Sequence, residues 1–486
     1  MLLPGYDCDA ATSWIKVPKQ DDATFSIFQD QALIELRSDW TVPDGTVYPS
    51  GSMISAPLEE FLRLGPAAPF TSIFRPTERN SLYAQAYTEN YLVITELEDV
   101  KTRVTIWRLS RNDLANQPPE WIKAGAEPAA VIGGIYISAV DADSSDSVWV
   151  TTSSFTVPSQ LALVALTECI GKGPGPDLSS LRKAAPLKAL PKQFNSDGMV
   201  EKQFMAKSRD GTSVPYFLVC KESILSAGDA PCLLYGYGGF EISMTPSYAS
   251  VTGRKWLEDG GCYVVANIRG GGEYGPRWHK AALRENRELA YDDFIAVAED
   301  LTSRGFTSPA RLGIRGGSNG GLLMGNMLTR RPDLFGAVVC QVPLLDMRRY
   351  HKLLAGASWT AEYGEPDTSD WRYLQCVSAY HNIDPDSIDH YPPLLMLTSM
   401  RDDRVHPYHA RALVRRLLDV KESSEARGRK AGRDGKAAKA LAAKSGRGQV
   451  LYYENMEGGH GGAADLRQQA FQTALYISFL KEKLGM

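Results

Sequence analysis

Three residue types in the C-terminal half could together transfer an acyl group. Around Ser318 the chain reads Gly316-Gly317-Ser318-Asn319-Gly320-Gly321. Gly316, Ser318 and Gly320 fit G-x-S-x-G, the pattern of a serine held on a sharp strand-to-helix turn with its hydroxyl exposed. A serine hydroxyl is a weak nucleophile until a base takes its proton. An imidazole base in turn needs a carboxylate to hold its tautomer and steady its cation. Downstream stand Asp402 and Asp403, within Ser399-Met400-Arg401-Asp402-Asp403-Arg404, and then His460, within Gly458-Gly459-His460-Gly461-Gly462. Spacing does not separate Asp402 from Asp403, which compete for one role. His406 and His409 compete with His460 but fall too early in the chain. All seven histidines lie in this half, so acid-base chemistry by histidine belongs to it.

These side chains need elements that bring them together. From Glu201 onward, nearly continuous apolar strands alternate with amphipathic segments. Strands are expected at Glu201–Ala206, Pro215–Cys220, Cys232–Tyr235, Cys262–Asn267, Leu312–Arg315, Ala337–Gln341, Pro393–Thr398 and Gln449–Tyr453. Helices are expected at Ala290–Arg304, Gly321–Thr329, His409–Asp419 and Leu466–Leu484. That grammar specifies a mostly parallel sheet with helices on both faces, whose functional residues gather beyond the carboxyl ends of strands. Ser318, Asp402 and His460 each follow a strand, in the Ser…Asp…His order of an α/β hydrolase.

The first half is different. Short runs rich in Val, Ile, Thr and aromatics, such as Ala32–Leu36, Leu82–Tyr87, Arg103–Leu109 and Val148–Thr152, are separated by turn residues. They fall into groups about 50 residues apart, a spacing that suits propeller blades of four short strands; a generic antiparallel sandwich is the alternative. Residues 171–193, rich in Gly and Pro, form the expected junction, which divides the chain into residues 1–195 and 196–486.

A net charge of −4 over 486 residues leaves no general attraction to nucleic acid or anionic membrane, and no apolar run reaches spanning length. The seven scattered cysteines (8, 169, 220, 232, 262, 340 and 376) contain no C-x-x-C pair and read as core residues of a reducing compartment. The first 20 residues turn polar at once, without the pattern of a signal peptide. The expectation is a soluble, cytoplasmic protein with no metal or other cofactor. Gly270-Gly271-Gly272-Glu273-Tyr274-Gly275 matches G-x-G-x-x-G, but Pro276 follows directly, where a dinucleotide site needs a helix already under way. It reads as a loop packed beside the active site.

Several motifs closely resemble the prolyl oligopeptidase family. They are Tyr235-Gly-Tyr-Gly-Gly-Phe240, Ala266 to Gly275, Gly316 to Gly321, Arg331-Pro-Asp-Leu-Phe-Gly336, Trp359-Thr-Ala-Glu-Tyr-Gly364 and Asp402-Asp-Arg-Val405. The resemblance runs through roughly residues 196–486. It implies an α/β-hydrolase peptidase domain preceded by an all-β propeller that restricts access to short peptides. It further implies Ser318 as nucleophile, Asp402 as orienting carboxylate and His460 as base. The Tyr237 hydroxyl and the Asn319 backbone N–H would form the oxyanion hole. Trp359, Phe240, Tyr363 and Val405 would line an apolar pocket for a proline ring, and Arg404 would bind a substrate carbonyl. Leu344 stands where the family commonly has a smaller lining residue, so the pocket is expected to be tighter or reshaped.

Two further departures are expected. Residues 421–448 form a basic Ala/Gly/Lys/Arg-rich insert, read as a surface loop. About 195 N-terminal residues suffice for only three or four blades, a partial propeller rather than a closed sevenfold ring. Its exposed blade edges are open to association as well as to a monomeric state. The implied function is a serine oligopeptidase cleaving short peptides after proline. The alternatives are an acyl or aminoacyl hydrolase on the same triad, or a catalytically weak binding or scaffold protein.

Overall fold

A computed structural model describes residues 2–4, 14–110, 119–170, 177–430 and 446–486. The chain forms two compact units, the first essentially Met1–Leu190 and the second Pro191–Met486, with residues 245–247 and 273–277 counted to the first.

The first unit is all-β. Three four-stranded antiparallel sheets follow one another along the chain, each in simple sequential order. They comprise Thr24–Phe28, Gln31–Glu35, Met53–Pro57 and Thr71–Phe74; then Asn80–Tyr87, Leu92–Glu98, Lys101–Ser110 and Glu120–Ala126; then Gly134–Ala139, Ser147–Ser153, Gln160–Ala165 and Lys188–Ala189. This is a partial β-propeller of blade-like meanders. Alternating burial marks the third sheet, where Ile135 and Ile137 point inward while Tyr136 between them is exposed. The outer strand Glu120–Ala126 escapes a reading by pattern because lysine and glycine interrupt its apolar positions.

The second unit is built on one eight-stranded sheet. Its strands are β1 Met199–Lys207, β2 Ser213–Lys221, β3 Cys232–Gly236, β4 Cys262–Ala266, β5 Leu312–Gly317, β6 Ala337–Gln341, β7 Leu394–Ser399 and β8 Val450–Asn455. Their spatial order is β1-β2-β4-β3-β5-β6-β7-β8. The pairings β1/β2 and β2/β4 are antiparallel, and every later pairing is parallel. Every residue of β7 is buried, as expected of a strand covered on both sides. The covering helices include α1 Glu288–Ser303, α2 Asn319–Arg330, α3 Tyr408–Lys430 and α4 Leu466–Leu484. A Cβ on Gly236 would meet Phe294 of α1 and Leu323 of α2. Leu234 is in register with Ile314, so this face holds the even-numbered residues of β5. Gly313 therefore points the other way, and there a Cβ would meet Leu480 and Leu484 of α4. The unit is an α/β hydrolase with helices on both faces.

Helix α3 corrects one expectation. It runs to Lys430, through the first ten residues of the segment read as a loop. Lys, Glu, Ala and Arg are good helix formers, and a helix already nucleated extends through them at little cost. Residues 431–445 of that insert lie outside the described residues, as do Cys8 and residues 171–176 of the junction. The described cysteines are free, and four of the six are buried.

At the start of α3, His409 is 2% exposed. Its Nδ1 accepts the backbone N–H groups of Asp346 at 3.1 Å and Leu345 at 3.4 Å, which requires a neutral ring. Desolvation lowers its pKa to about 4, against the pull of Asp346 and with a small push from His406. The unfolded chain takes up this proton near the ordinary histidine value of about 6.5, before the folded chain does. Stability carried by His409 is therefore present above that value and lost as pH falls towards about 4. Denaturant midpoints of wild type and His409→Gln, measured from pH 7 to pH 4, should converge as pH falls.

Candidate active site

Ser318 stands between β5 and α2 with φ +58°, a left-handed conformation uncommon for a residue with a Cβ. Its backbone N–H donates to Gln341 O at 3.0 Å, and its carbonyl accepts from Gly321 N at 2.8 Å and Leu322 N at 3.1 Å. The turn is so tight that a Cβ on Gly316 would lie 2.4 Å from Gly320 O. Strand and helix thus pull Ser318 from both sides and leave its side chain at the sheet's carboxyl edge.

His460 and Asp402 reach the same edge from the loops after β8 and β7. His460 Nε2 lies 3.0 Å from Ser318 Oγ, and His460 Nδ1 lies 2.8 Å from Asp402 Oδ2. The Asp402 side chain is fully buried, and its Oδ1 accepts the backbone N–H groups of Arg404 at 2.9 Å and Val405 at 2.8 Å. A carboxylate can only accept, so Nδ1 carries the imidazole proton and Nε2 is free to accept from the serine hydroxyl. Asp403 is exposed. His406 Nδ1 accepts the Tyr408 N–H, and His409 is held in the core. Of these competitors, Asp402 and His460 are the pair brought to Ser318.

The His460 loop is clamped from behind. Gly462 O accepts from Ser399 Oγ at 3.0 Å and from Gln472 Nε2 of α4. A Cβ on Gly458 would stand 2.6 Å from Gly462 O, so the loop closes only because that position is bare.

Asn319 opens α2, where its backbone N–H has by position no intrahelical acceptor and faces the serine's end of the helix. Burial pushes the Tyr237 phenol above its ordinary range, and a hydrogen bond with Ser318 pulls the other way. Tyr237 OH and Asn319 N–H thus both adjoin Ser318. Phe240 is half-buried, and its ring meets that of Tyr363 edge-on, centroids 5.7 Å apart. Tyr363 is 1% exposed, and its hydroxyl donates to Asn319 Oδ1 at 2.8 Å. Trp359 is half-buried against the same core, Leu344 and Val405 are buried in it, and Arg404 is exposed. The glycine-rich run packs as a loop here: a Cβ on Gly270 would meet Gly238 O, and one on Gly272 would meet Glu241 O.

Motif reading missed a polar group beneath this surface. Arg287, 2% exposed, donates to Asn319 Oδ1 and, at 3.1 Å, to Glu362 Oε1. Glu362 also accepts from Phe240 N at 2.9 Å, and its Oε2 lies 2.7 Å from His279 Nε2. Burial alone would raise the Glu362 pKa; the His279 hydrogen bond, the Arg287 charge and the Phe240 N–H outweigh it and hold the carboxyl below its ordinary range. The available signal was a lone charged residue, Glu362, inside the otherwise uncharged motif Trp359 to Gly364. Another acid-rich group, His351, Glu365 and Asp367, has donors within metal-ligand reach, but Lys352 Nζ already lies 2.7 Å from Asp367.

Comparison with known proteins bears on this geometry. Residues 248–430 match the model of the prolyl oligopeptidase family. An uncharacterized peptidase of Sinorhizobium fredii is 38% identical over 475 residues, covering 97% of this chain and 58% of its own length. By these matches the chain is similar to the prolyl oligopeptidase family. A prolyl endopeptidase of Elizabethkingia miricola is 36% identical over 296 residues, 60% of this chain and 38% of the relative. Among solved structures, a post-proline cleaving enzyme from Rickettsia typhi superimposes with a TM-score of 0.77 at 30% identity, covering 99% of this chain and 62% of that one. The chain thus spans somewhat over half the length of the first curated relatives it matches.

The Asp402–His460 bond supplies a test of the arrangement. Asn in place of Asp402 would turn an N–H towards Nδ1, drive the ring proton to Nε2 and deprive Ser318 of its acceptor. Asp402→Asn should slow covalent labelling by a fluorophosphonate about 10³- to 10⁴-fold relative to wild type, measured as a second-order rate.

Proposed function

We propose that this chain is a serine oligopeptidase that cleaves short peptides on the carboxyl side of proline through an acyl-enzyme. The observation that carries the reading is the continuous Ser318–His460–Asp402 hydrogen-bond chain, with the Phe240–Tyr363 ring pair tied through the Tyr363 hydroxyl to Asn319, the residue after the serine.

In this reading His460 Nε2 takes the Ser318 proton as Oγ attacks the scissile carbonyl carbon. The new oxyanion lies between the Tyr237 hydroxyl and the Asn319 N–H, donors aimed where charge develops and so of most value in the transition state. The imidazolium, steadied by Asp402, then gives its proton to the leaving amine. Water repeats the sequence on the ester, and Ser318 is restored. A proline ring has no N–H to satisfy and is flat, which suits an apolar slot bounded by Trp359 and Phe240, with Val405, Leu344 and Tyr363 as its packed floor. Arg404, exposed after the Asp402 turn, reaches a substrate carbonyl. A cytoplasmic setting agrees with the free, buried thiols.

Chromogenic tetrapeptides differing only in Pro, Ala or Arg at the position before the scissile bond test the proposal. The expected kcat/KM order is Pro over Ala by at least about tenfold, since one well-filled apolar contact is worth about 1–3 kcal/mol, with Arg slowest. Equal rates for the three would remove the proline specificity, and turnover of short esters without peptides would favour an acyl hydrolase.

A further inference from the structure

Beneath the catalytic surface lies a buried ion pair. Arg287 and Glu362 have side chains 2% and 6% exposed, and the Arg287 guanidinium lies 5.2 Å from the centre of the Tyr363 ring. Replacing a buried ion pair by apolar residues of equal volume is often neutral or stabilising, so such a pair is a poor device for stability alone. Its value has to be sought in what it holds.

It holds two things. The Arg287 end reaches Asn319 Oδ1, where the Tyr363 hydroxyl also donates, and the Asn319 Nδ2 on the same amide donates to Tyr237 O at 2.6 Å. The Glu362 end accepts the Phe240 N–H. The loop from Tyr237 to Phe240 is thereby tied at one end through the Asn319 amide and at the other through the Glu362 carboxylate. These ties are close: a Cβ on Gly239, midway along the loop, would lie 2.5 Å from Asn319 Nδ2 and 3.0 Å from Arg287 Nη2. On the far side Glu362 is backed by His279, whose Nδ1 lies 3.4 Å from Glu241.

We infer that the Arg287–Glu362 pair is the positioning element of the oxyanion hole, setting the Tyr237 hydroxyl and the Asn319 N–H against each other at Ser318. Neither residue touches substrate. Each acts through the groups that do, Arg287 through the side chain of the residue whose backbone is one donor, and Glu362 through the loop that carries the other. The aromatic pair Phe240 and Tyr363 rests on the same two residues. This inference rests on the acyl-transfer reading of Ser318 and not on proline specificity.

The test uses the 486-residue chain, two substrates and one inhibitor: a prolyl chromogenic peptide, p-nitrophenyl acetate, and a prolyl peptide boronate whose tetrahedral adduct fills the oxyanion hole. Loss of a single oxyanion donor costs about 10²- to 10³-fold in kcat. Arg287→Met, which displaces both donors without deleting either, is expected to lower kcat about 30-fold or more on both substrates, with KM within threefold and boronate affinity falling in step. Arg287→Lys should recover part of the loss. Should Arg287→Met fail to fold, the isosteric Glu362→Gln is measured, with an expected kcat loss of about tenfold. A folded Arg287→Met, or a folded Glu362→Gln in its place, with kcat and boronate affinity within twofold of wild type overturns the inference. So does a loss confined to KM. A wild type that turns over the ester but not the peptide defeats the proline reading alone, and the ester kcat of the variants still decides this one.

Discussion

A left-handed backbone at one residue with a side chain is the constraint from which the catalytic surface follows. Such a conformation costs of the order of 1–3 kcal/mol and persists only where the surroundings over-determine it. At Ser318 they do. Strand β5 keeps its pairing with β6 through Gly317 and Gln341, the next N–H still bonds to Gln341 O, and the first two bonds of α2 close on the Ser318 carbonyl. Helix α2 is itself buried along most of its length. Rotating Ser318 back to an ordinary conformation would mean lifting a core helix off a core sheet, which is why the hydroxyl stays where the imidazole can reach it.

The partners tolerate more latitude, and the structure supplies the rigidity in another way. Asp402 and His460 sit on loops, yet each loop is short of freedom. Asp402 is held by two backbone N–H groups of its own turn, and the His460 loop is pinned at Gly462 by side chains from β7 and α4. Parallel strands make this arrangement natural: their carboxyl ends lie side by side, so residues far apart in the chain meet at one edge. Beneath that edge the packing is not wholly apolar. Arg287, Glu362, Asn319 and Tyr363 form a hydrogen-bonded polar layer between the hydrophobic core and the surface, and directional bonds set positions more finely than dispersion contacts do.

Much of this was legible before any coordinates. Runs such as Pro393–Thr398 are apolar enough to announce buried parallel strands, and the residues after them announce the chemistry. The edge strand Glu120–Ala126 was not legible, because a strand with one wet face and interrupted alternation carries little signal. The length of α3 was misread for a related reason: a charged, alanine-rich stretch reads alike as solvated loop or exposed helix, and continuity with a nucleated helix decided for the helix. Arg287 was invisible because an arginine in the turn just before a helix reads as a solvent-facing residue until that helix is docked.

The order of residues along the chain, then, was enough to determine the kinds of element, their alternation, the glycine-bare turn at Ser318 and the sequence of nucleophile, acid and base. These are local properties, written in side-chain volume, backbone freedom and apolar periodicity. Chain order had already set His406 and His409 aside and the resemblance implied Asp402, but the turning of Asp402 rather than Asp403 towards the imidazole, and the placing of Arg287 behind Asn319, belonged to tertiary structure. Each is a question of direction and distance between segments remote in the chain. Only the packing of the sheet against its helices sets those directions to within the reach of a hydrogen bond.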